Sequence, residues 1–204
     1  MLILGLTGGI ACGKSTIANE LRSLGAVIVD GDALSRVLTA PEGTALPGIR
    51  QLFGDQVFNG DGSLNRTVLG SIVFSDEKAL QDYNALIHPM LFDLIDQSIQ
   101  NARDSGAAVC VLDMPLLYEV GLDRLCDKIW CAYVPEEIQI QRLYERNGFD
   151  RETSLQRIHS QMSTDEKAAR ADLVIDTNRP IDETAAFVRE TWFREINPKG
   201  GVSD

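Results

Sequence analysis

The run Gly8-Gly9-Ile10-Ala11-Cys12-Gly13-Lys14-Ser15-Thr16 holds more chemical potential than any other stretch of this chain. It fits the pattern GxxxxGK[ST] and lies between an apolar run, Leu2 to Leu6, and a segment of helical spacing, Ser15 to Leu24. In that setting the glycines let backbone N–H groups curl around phosphate oxygens, and the positive end of the helix dipole adds to their field. Lys14 can bridge the β- and γ-phosphates of a nucleoside triphosphate, while the Ser15 hydroxyl can join the shell of Mg²⁺.

Other charged groups narrow the chemistry. Val29-Asp30-Gly31-Asp32 ends a second apolar run with two carboxylates at the carboxyl edge of a sheet, where doubly wound folds keep their ligands. One of the pair can accept a proton from an acceptor hydroxyl while the other caps the next helix or orients Mg²⁺. Asp113, directly after the apolar run Ala108 to Leu112, has the form of a Walker B carboxylate and is a second candidate Mg²⁺ ligand. Pro115 should end that strand, and the apolar residues from Met114 onward could line a pocket or simply pack the core. Arg142, Arg146, Arg151, Arg157, Lys167 and Arg170 fall within 29 residues. Arg142 and Arg146 are four apart and share a helix face, suited either to phosphate oxygens or to solvated pairing with nearby carboxylates. His88, ahead of Pro89, reads as a packed or capping residue, and His159 has no evident partner.

These groups need a scaffold. Leu2 to Leu6, Ala26 to Val29, Ala108 to Leu112, Ile129 to Val134 and Leu173 to Ile175 are short and continuously apolar, as strands buried on both faces are. Ser15 to Leu24, Glu136 to Asn147 and Ile181 to Arg194 have the apolar spacing of amphipathic helices. The expected fold is α/β with a five-stranded parallel, doubly wound sheet. Two stretches interrupt the alternation. The region of about 35–105 is rich in turns and then helical around Val68 to Phe74 and Ala79 to Ala102, as expected of a helical lobe for a second substrate. The region of about 147–170 is short, charged and helical, capped by Asp150 or Thr153, and suits a mobile cover. The tail from Asn197 to Asp204 reads as frayed.

The bulk numbers agree with one globular enzyme-sized unit. The chain has 204 residues, 44% hydrophobic and 24% charged, with a net charge of −11 that disfavours nucleic acid and anionic membrane as partners. No stretch reaches the ~20 apolar residues that span a bilayer, and the N-terminal MLILGLTGG lacks the basic region of a signal peptide, so the expectation is a cytoplasmic protein. Cys12, Cys110, Cys126 and Cys131 show neither CxxC spacing nor His neighbours, which argues for reduced thiols over zinc or disulfides.

Taken together, Gly5-Leu6-Thr7-Gly8-Gly9-Ile10 with Lys14-Ser15-Thr16, Asp30-Gly31-Asp32 with Arg36, Ile87-His88-Pro89, Asp113-Met114-Pro115-Leu116-Leu117, Arg142, Arg157-Ile158-His159-Ser160-Gln161 with Lys167 and Arg170, and Ile175-Asp176-Thr177-Asn178 resemble the dephospho-coenzyme A kinase family. The resemblance covers nearly the whole chain in order. It implies a nucleotide core (1–34, 106–146 and 171–204), a helical acceptor domain (35–105) and a lid (147–170). It further implies that Ala11, Cys12, Gly13, Lys14, Ser15 and Thr16 bind ATP, that Asp32 takes the proton from the ribose 3′-hydroxyl of dephospho-coenzyme A, and that Lys14 and Arg142 stabilise the moving phosphoryl. By the same resemblance Arg36 and His88 meet the acceptor, and Arg146 and Asn178 lie at lid and adenine contacts. Where that family usually has Gly-Ser before Gly-Lys, this chain has Ala11-Cys12. An ordinary backbone is therefore expected at Ala11, because a positive φ would cost alanine roughly 1 kcal/mol. Cys12, at a helix N-terminus, is expected to be a reactive thiol that ATP protects.

Rival readings share the loop but differ elsewhere. Another small-molecule or nucleoside monophosphate kinase would differ in its acceptor lobe. A P-loop switch or partition ATPase would need no acceptor. A GTPase is disfavoured because no Asn-Lys-x-Asp run occurs, and a catalytically dead binding module because Lys14, Ser15, Asp32 and Asp113 are all present.

Overall fold

The structure, a computed structural model, describes residues 1–196; the tail at 197–204 expected to fray lies outside the described residues. The five apolar runs form β1 (Leu2–Gly8), β2 (Val27–Asp30), β3 (Val109–Asp113), β4 (Lys128–Tyr133) and β5 (Leu173–Asp176). They make one sheet in the order β2-β3-β1-β4-β5. Its β1–β3, β1–β4 and β4–β5 pairings are parallel, with Leu6 opposite Asp113 and Gly8 opposite Ala132. The fold is thus the expected P-loop α/β architecture around a five-stranded parallel sheet.

Two compact units divide the chain: 1–29 with 102 onward, and 30–101. The first holds the sheet and the helices α1 (Lys14–Ser23), α6 (Glu136–Asn147), α7 (Arg151–His159), α8 (Thr164–Arg170) and α9 (Ile181–Thr191). Leu4, Leu6, Ile17, Leu21, Val111, Trp130, Ala132, Ile175, Val188 and Trp192 form its core. Strands β1, β3 and β4 sit in mid-sheet, so both their faces must be apolar, which is why their sequences are continuous rather than alternating. Helices α1 and α9 pack together, and α8 lies on β1 and β4.

The second unit contains α2 (Gly31–Leu38), α3 (Leu46–Phe53), α4 (Arg66–Ser75) and most of α5 (Glu77–Asp104). Helices α4 and α5 occupy the expected helical stretches. Helices α2 and α3 are shorter than any clear periodicity, and a Pro41-Gly43 break separates them. Pro47 falls in the first turn of α3, where a missing N–H costs nothing. Leu86 crowds Gly48 so closely that a Cβ there would meet its Cδ1 at 2.6 Å, so α3 and α5 touch through a glycine. The Phe53 and Tyr83 rings meet at a tilt of 54° with centroids 6.5 Å apart, and Arg66 donates to the Thr39 carbonyl at 3.3 Å. Pro89 stands inside α5 without ending it.

Candidate active site

The loop between β1 and α1 has the alternating backbone of an anion nest. Ala11 has φ 62° and Gly13 φ 75°, both left-handed, flanking Cys12. Alternation of this kind turns successive N–H groups inward and their carbonyls outward. The ordinary backbone expected at Ala11 is therefore wrong: alanine occupies the left-handed region at roughly 1–2 kcal/mol, a strain that persists only where its surroundings hold it. Arg142 supplies one such hold, donating from Nη1 to the Ala11 carbonyl at 3.1 Å.

Cys12 also departs from expectation. Its side chain is 1% exposed, packed in the core with Sγ 3.7 Å from the Thr164 hydroxyl. Burial pushes its pKa up, outweighing the lowering by Thr164, the neighbouring backbone and the Arg142 charge. At the start of α1 the thiol thus has the raised pKa of a buried cysteine rather than the lowered one its position alone would give.

Lys14 and Ser15 open α1, with Gly13 as its left-handed N-cap. Lys14 Nζ forms a close ion pair with Asp113 Oδ1, both side chains being largely buried. Asp113 ends β3, the strand beside β1, and Pro115 follows it as the expected strand stop. Met114, Leu117 and Tyr118 are buried, and Leu116 is exposed, so that run is mainly core. Ser15 is exposed. Its hydroxyl and the Asp113 carboxylate are hard oxygen donors flanking Lys14, a donor set that fits Mg²⁺ completed by nucleotide phosphates. Among the described residues, no group of three or more His, Cys, Asp and Glu gathers as a self-sufficient metal site.

Asp30 and Asp32 separate into two roles. Asp30 caps α2, its Oδ1 accepting from the Ala33 N–H at 2.9 Å. Asp32 is exposed in the first turn of that helix, as is Arg36 one turn later. His88 is half-buried on α5 and stacks on Phe92 with centroids 5.8 Å apart; burial lowers its pKa.

Arg142 and Arg146 do not act as a matched pair. Arg142 Nη1 donates to both Ala11 O and Thr177 Oγ1 at 3.1 Å, and Nη2 donates to Thr177 O at 2.6 Å. Arg146 is exposed and bonds the side chain of its neighbour Asn147. Asn178 is exposed just past β5, its N–H held by Asp176 at 2.7 Å. His159, for which the sequence shows no partner, pairs with Glu136 at 2.8 Å.

The segment at 147–170 is anchored along its length, α7 packing on α6 where Leu155 and Ile158 meet Ile140 and Leu143. Asp150 caps α7 through the Thr153 N–H, as expected, and Arg151 pairs with Glu137. Beyond α7, Lys167 of α8 is fully buried, donating to the Pro115 carbonyl and paired with Glu119 at 2.8 Å. Arg170 adds a bond to Asp123 at 3.2 Å and lies 4.0 Å over the Tyr118 ring. Three residues given no role from sequence, Gln139, Thr164 and Thr177, crowd the back of the nucleotide loop. The spacing of Gln139 three before Arg142, on one face of α6, was the available signal.

Known proteins resemble this chain over nearly its whole length. A family model for dephospho-CoA kinase matches residues 2–183. The dephospho-CoA kinase of Symbiobacterium thermophilum is 42% identical over 201 residues, covering 98% of this chain and 84% of that protein. That of Geobacter sulfurreducens is 40% identical over 196 residues, covering 96% of this chain and 100% of that protein. A Thermus thermophilus protein of known structure superimposes with a TM-score of 0.81 at 30% identity, covering 95% of this chain and 97% of that one. On this match, extending from before the loop at Gly8 to the start of α9, the chain belongs to the dephospho-CoA kinase family.

Proposed function

We propose a division of labour for the reaction that family membership gives this chain: ATP-dependent phosphorylation of dephospho-coenzyme A, the last step of coenzyme A biosynthesis. Amides of the loop from Ala11 to Thr16 hold the ATP phosphates, apart from those already spent inside it, the Cys12 N–H on the Gly9 carbonyl at 3.2 Å and the Thr16 N–H on the Gly13 carbonyl at 3.0 Å. Asp32 accepts the proton of the ribose 3′-hydroxyl as its oxygen bonds to the γ-phosphorus. The bond from that phosphorus to the bridging oxygen breaks, and ADP departs with the electron pair. Lys14 and Arg142 carry the positive charge that offsets the developing negative charge on the phosphoryl oxygens. Ser15 and Asp113 would hold Mg²⁺, whose chemistry there is neutralisation of phosphate charge.

Arg146 and Asn178 contribute to the adenine side, and Arg36 and His88 to the acceptor. In this reading 35–105 is the acceptor domain and 147–170 the lid over a core of 1–34, 106–146 and 171–204. Helix α8 is then a fixed part of that lid, since Lys167 roots it. No described helix is long and apolar enough to cross a membrane, and we assign the enzyme to the cytoplasm without membrane or nucleic-acid partners.

The observation that carries the reading is the loop itself: a nest-forming backbone that ends in Lys14, paired with the Asp113 carboxylate of the neighbouring strand. The test is ADP release from Mg-ATP with dephospho-coenzyme A, AMP, adenosine, shikimate or gluconate as acceptor. Stimulation confined to dephospho-coenzyme A, with coenzyme A as product, is expected. Equal stimulation by another acceptor, or none by any, would reassign the substrate or the class.

A further inference from the structure

Three consecutive carbonyls of the nucleotide loop are each taken by one side chain from behind. Gln139 Nε2 donates to Ile10 O at 2.7 Å, Arg142 Nη1 to Ala11 O at 3.1 Å, and Thr177 Oγ1 to Cys12 O at 2.8 Å. Gln139 and Thr177 are 2% and 4% exposed, so these bonds form away from water, where an unmade one is costly. From this geometry we propose that Gln139 and Thr177 are positioning residues for ATP: by fixing the carbonyls outward they keep the amides of the same peptide units turned inward. The proposal rests on the reading that the loop binds the nucleotide phosphates.

The direction of each bond is determined by chemistry. A hydroxyl has one proton, and a guanidinium only donates. Since Arg142 Nη1 donates to Thr177 Oγ1, the Thr177 proton is committed to the Cys12 carbonyl. Gln139 is oriented in the same way: the Thr164 hydroxyl donates to its Oε1 at 3.4 Å, leaving Nε2 to serve Ile10. The side chains also press on the loop's glycines. A Cβ on Gly9 would lie 2.6 Å from Gln139 Nε2 and 2.2 Å from Thr164 Oγ1, and one on Gly13 would lie 3.0 Å from Thr177 Oγ1. The side chains leave no room for a Cβ on Gly9 and almost none on Gly13, and a flip of the peptide unit after Ile10, Ala11 or Cys12 must break one of the three bonds.

Thr177→Val removes the proton at constant shape, Thr177→Ser restores it, and Gln139→Leu removes the amide donor. Affinity for the non-hydrolysable analogue adenylyl imidodiphosphate should fall about tenfold in Thr177→Val and in Gln139→Leu, the loss expected for one buried hydrogen bond. KM for ATP should rise in parallel while KM for dephospho-coenzyme A stays put, and Thr177→Ser should recover most of the affinity. Wild-type analogue affinity in both Thr177→Val and Gln139→Leu overturns the proposal. So does a Thr177→Ser protein as weak as Thr177→Val, or a loss that affects both substrates alike and tracks the melting temperature. Lys14→Ala, titrated alongside, separates the two ideas: undiminished analogue binding there shows that the loop is not the phosphate site, and the proposal falls with that reading.

Discussion

Lys14 sits between two opposite demands, a carboxylate on the protein and phosphates on the nucleotide, and its pairing with Asp113 keeps an ammonium at the loop in a chain whose net charge is −11. Arg142, donating to the Ala11 carbonyl, places a second cation beside the same loop. Asp32 has the opposite character: exposed, at the start of a helix, with the capping duty already met by Asp30. Asp32→Asn should therefore cost kcat about 10²-fold or more and leave analogue affinity for the nucleotide unchanged, which steady-state kinetics and calorimetry can separate. Cys12 makes a contrary prediction to the one its position suggests. Buried and with a raised pKa, it should resist iodoacetamide at neutral pH with or without ATP, and mass spectrometry should find it alkylated only in denaturant. The motif residues were legible because phosphate chemistry imposes their types and spacing. The direction in which Cys12 points was not, because it depends on which face of the loop α6 and α8 cover, and those helices lie more than 120 residues away.

At the scale of elements, α8 is held by a buried lysine rather than by an apolar stripe. Lys167 neutralises Glu119 and takes the Pro115 carbonyl, and Glu119 also accepts the Met162 N–H at 3.0 Å. Lys167→Met leaves the Pro115 carbonyl without its donor and the partly exposed Glu119 carboxylate without its partner, and the expected loss is about 1–3 kcal/mol, seen as a melting temperature lowered by roughly 2–12 °C. Adding Glu119→Gln, which keeps the acceptor for Met162 and removes the unpaired charge, should recover part of it. Helix α5 carries a pH-dependent element. Burial lowers the pKa of His88, so the folded state favours the neutral ring. Its contribution is complete above the ordinary value of about 6.5 and is lost as pH falls through the lower folded value. His88→Phe, which preserves a ring for Phe92, should narrow the difference in melting temperature between pH 7.5 and pH 5.5. Neither device is visible as a sequence pattern. Lys167 reads as one more surface cation until the Pro115 turn is folded against it, and the break between α2 and α3 hides two helices too short to show a period.

For the molecule as a whole, the sheet was the most legible feature. Central parallel strands are buried on both faces, and that leaves the continuous apolar signal of β1, β3 and β4; the edge strands β2 and β5 share the signal although Val174 is 41% exposed, and all five runs fall within one or two residues of their observed ends. The order in which they lie is another matter: β3 enters between β1 and β2, a crossover that no apolar run records. The roles assigned from residue spacing alone were least complete where the molecule uses backbone carbonyls as partners, because every residue offers one and no motif records it. That is why the sequence gives Gln139 no part and Thr177 only a place in a shared motif, while Arg142 stands out by its charge.

The three grips on the loop also set an order of events during synthesis. The phosphate-binding run leaves the ribosome long before the side chains that shape it, which follow 129, 131 and 165 positions later. A nascent chain carrying the intact motif therefore has no finished nucleotide site until Thr177 has emerged. Fragments terminated before that residue should fail to retain ATP in a filter-binding assay, and an interrupted copy of the enzyme does not sequester the cell's nucleotide.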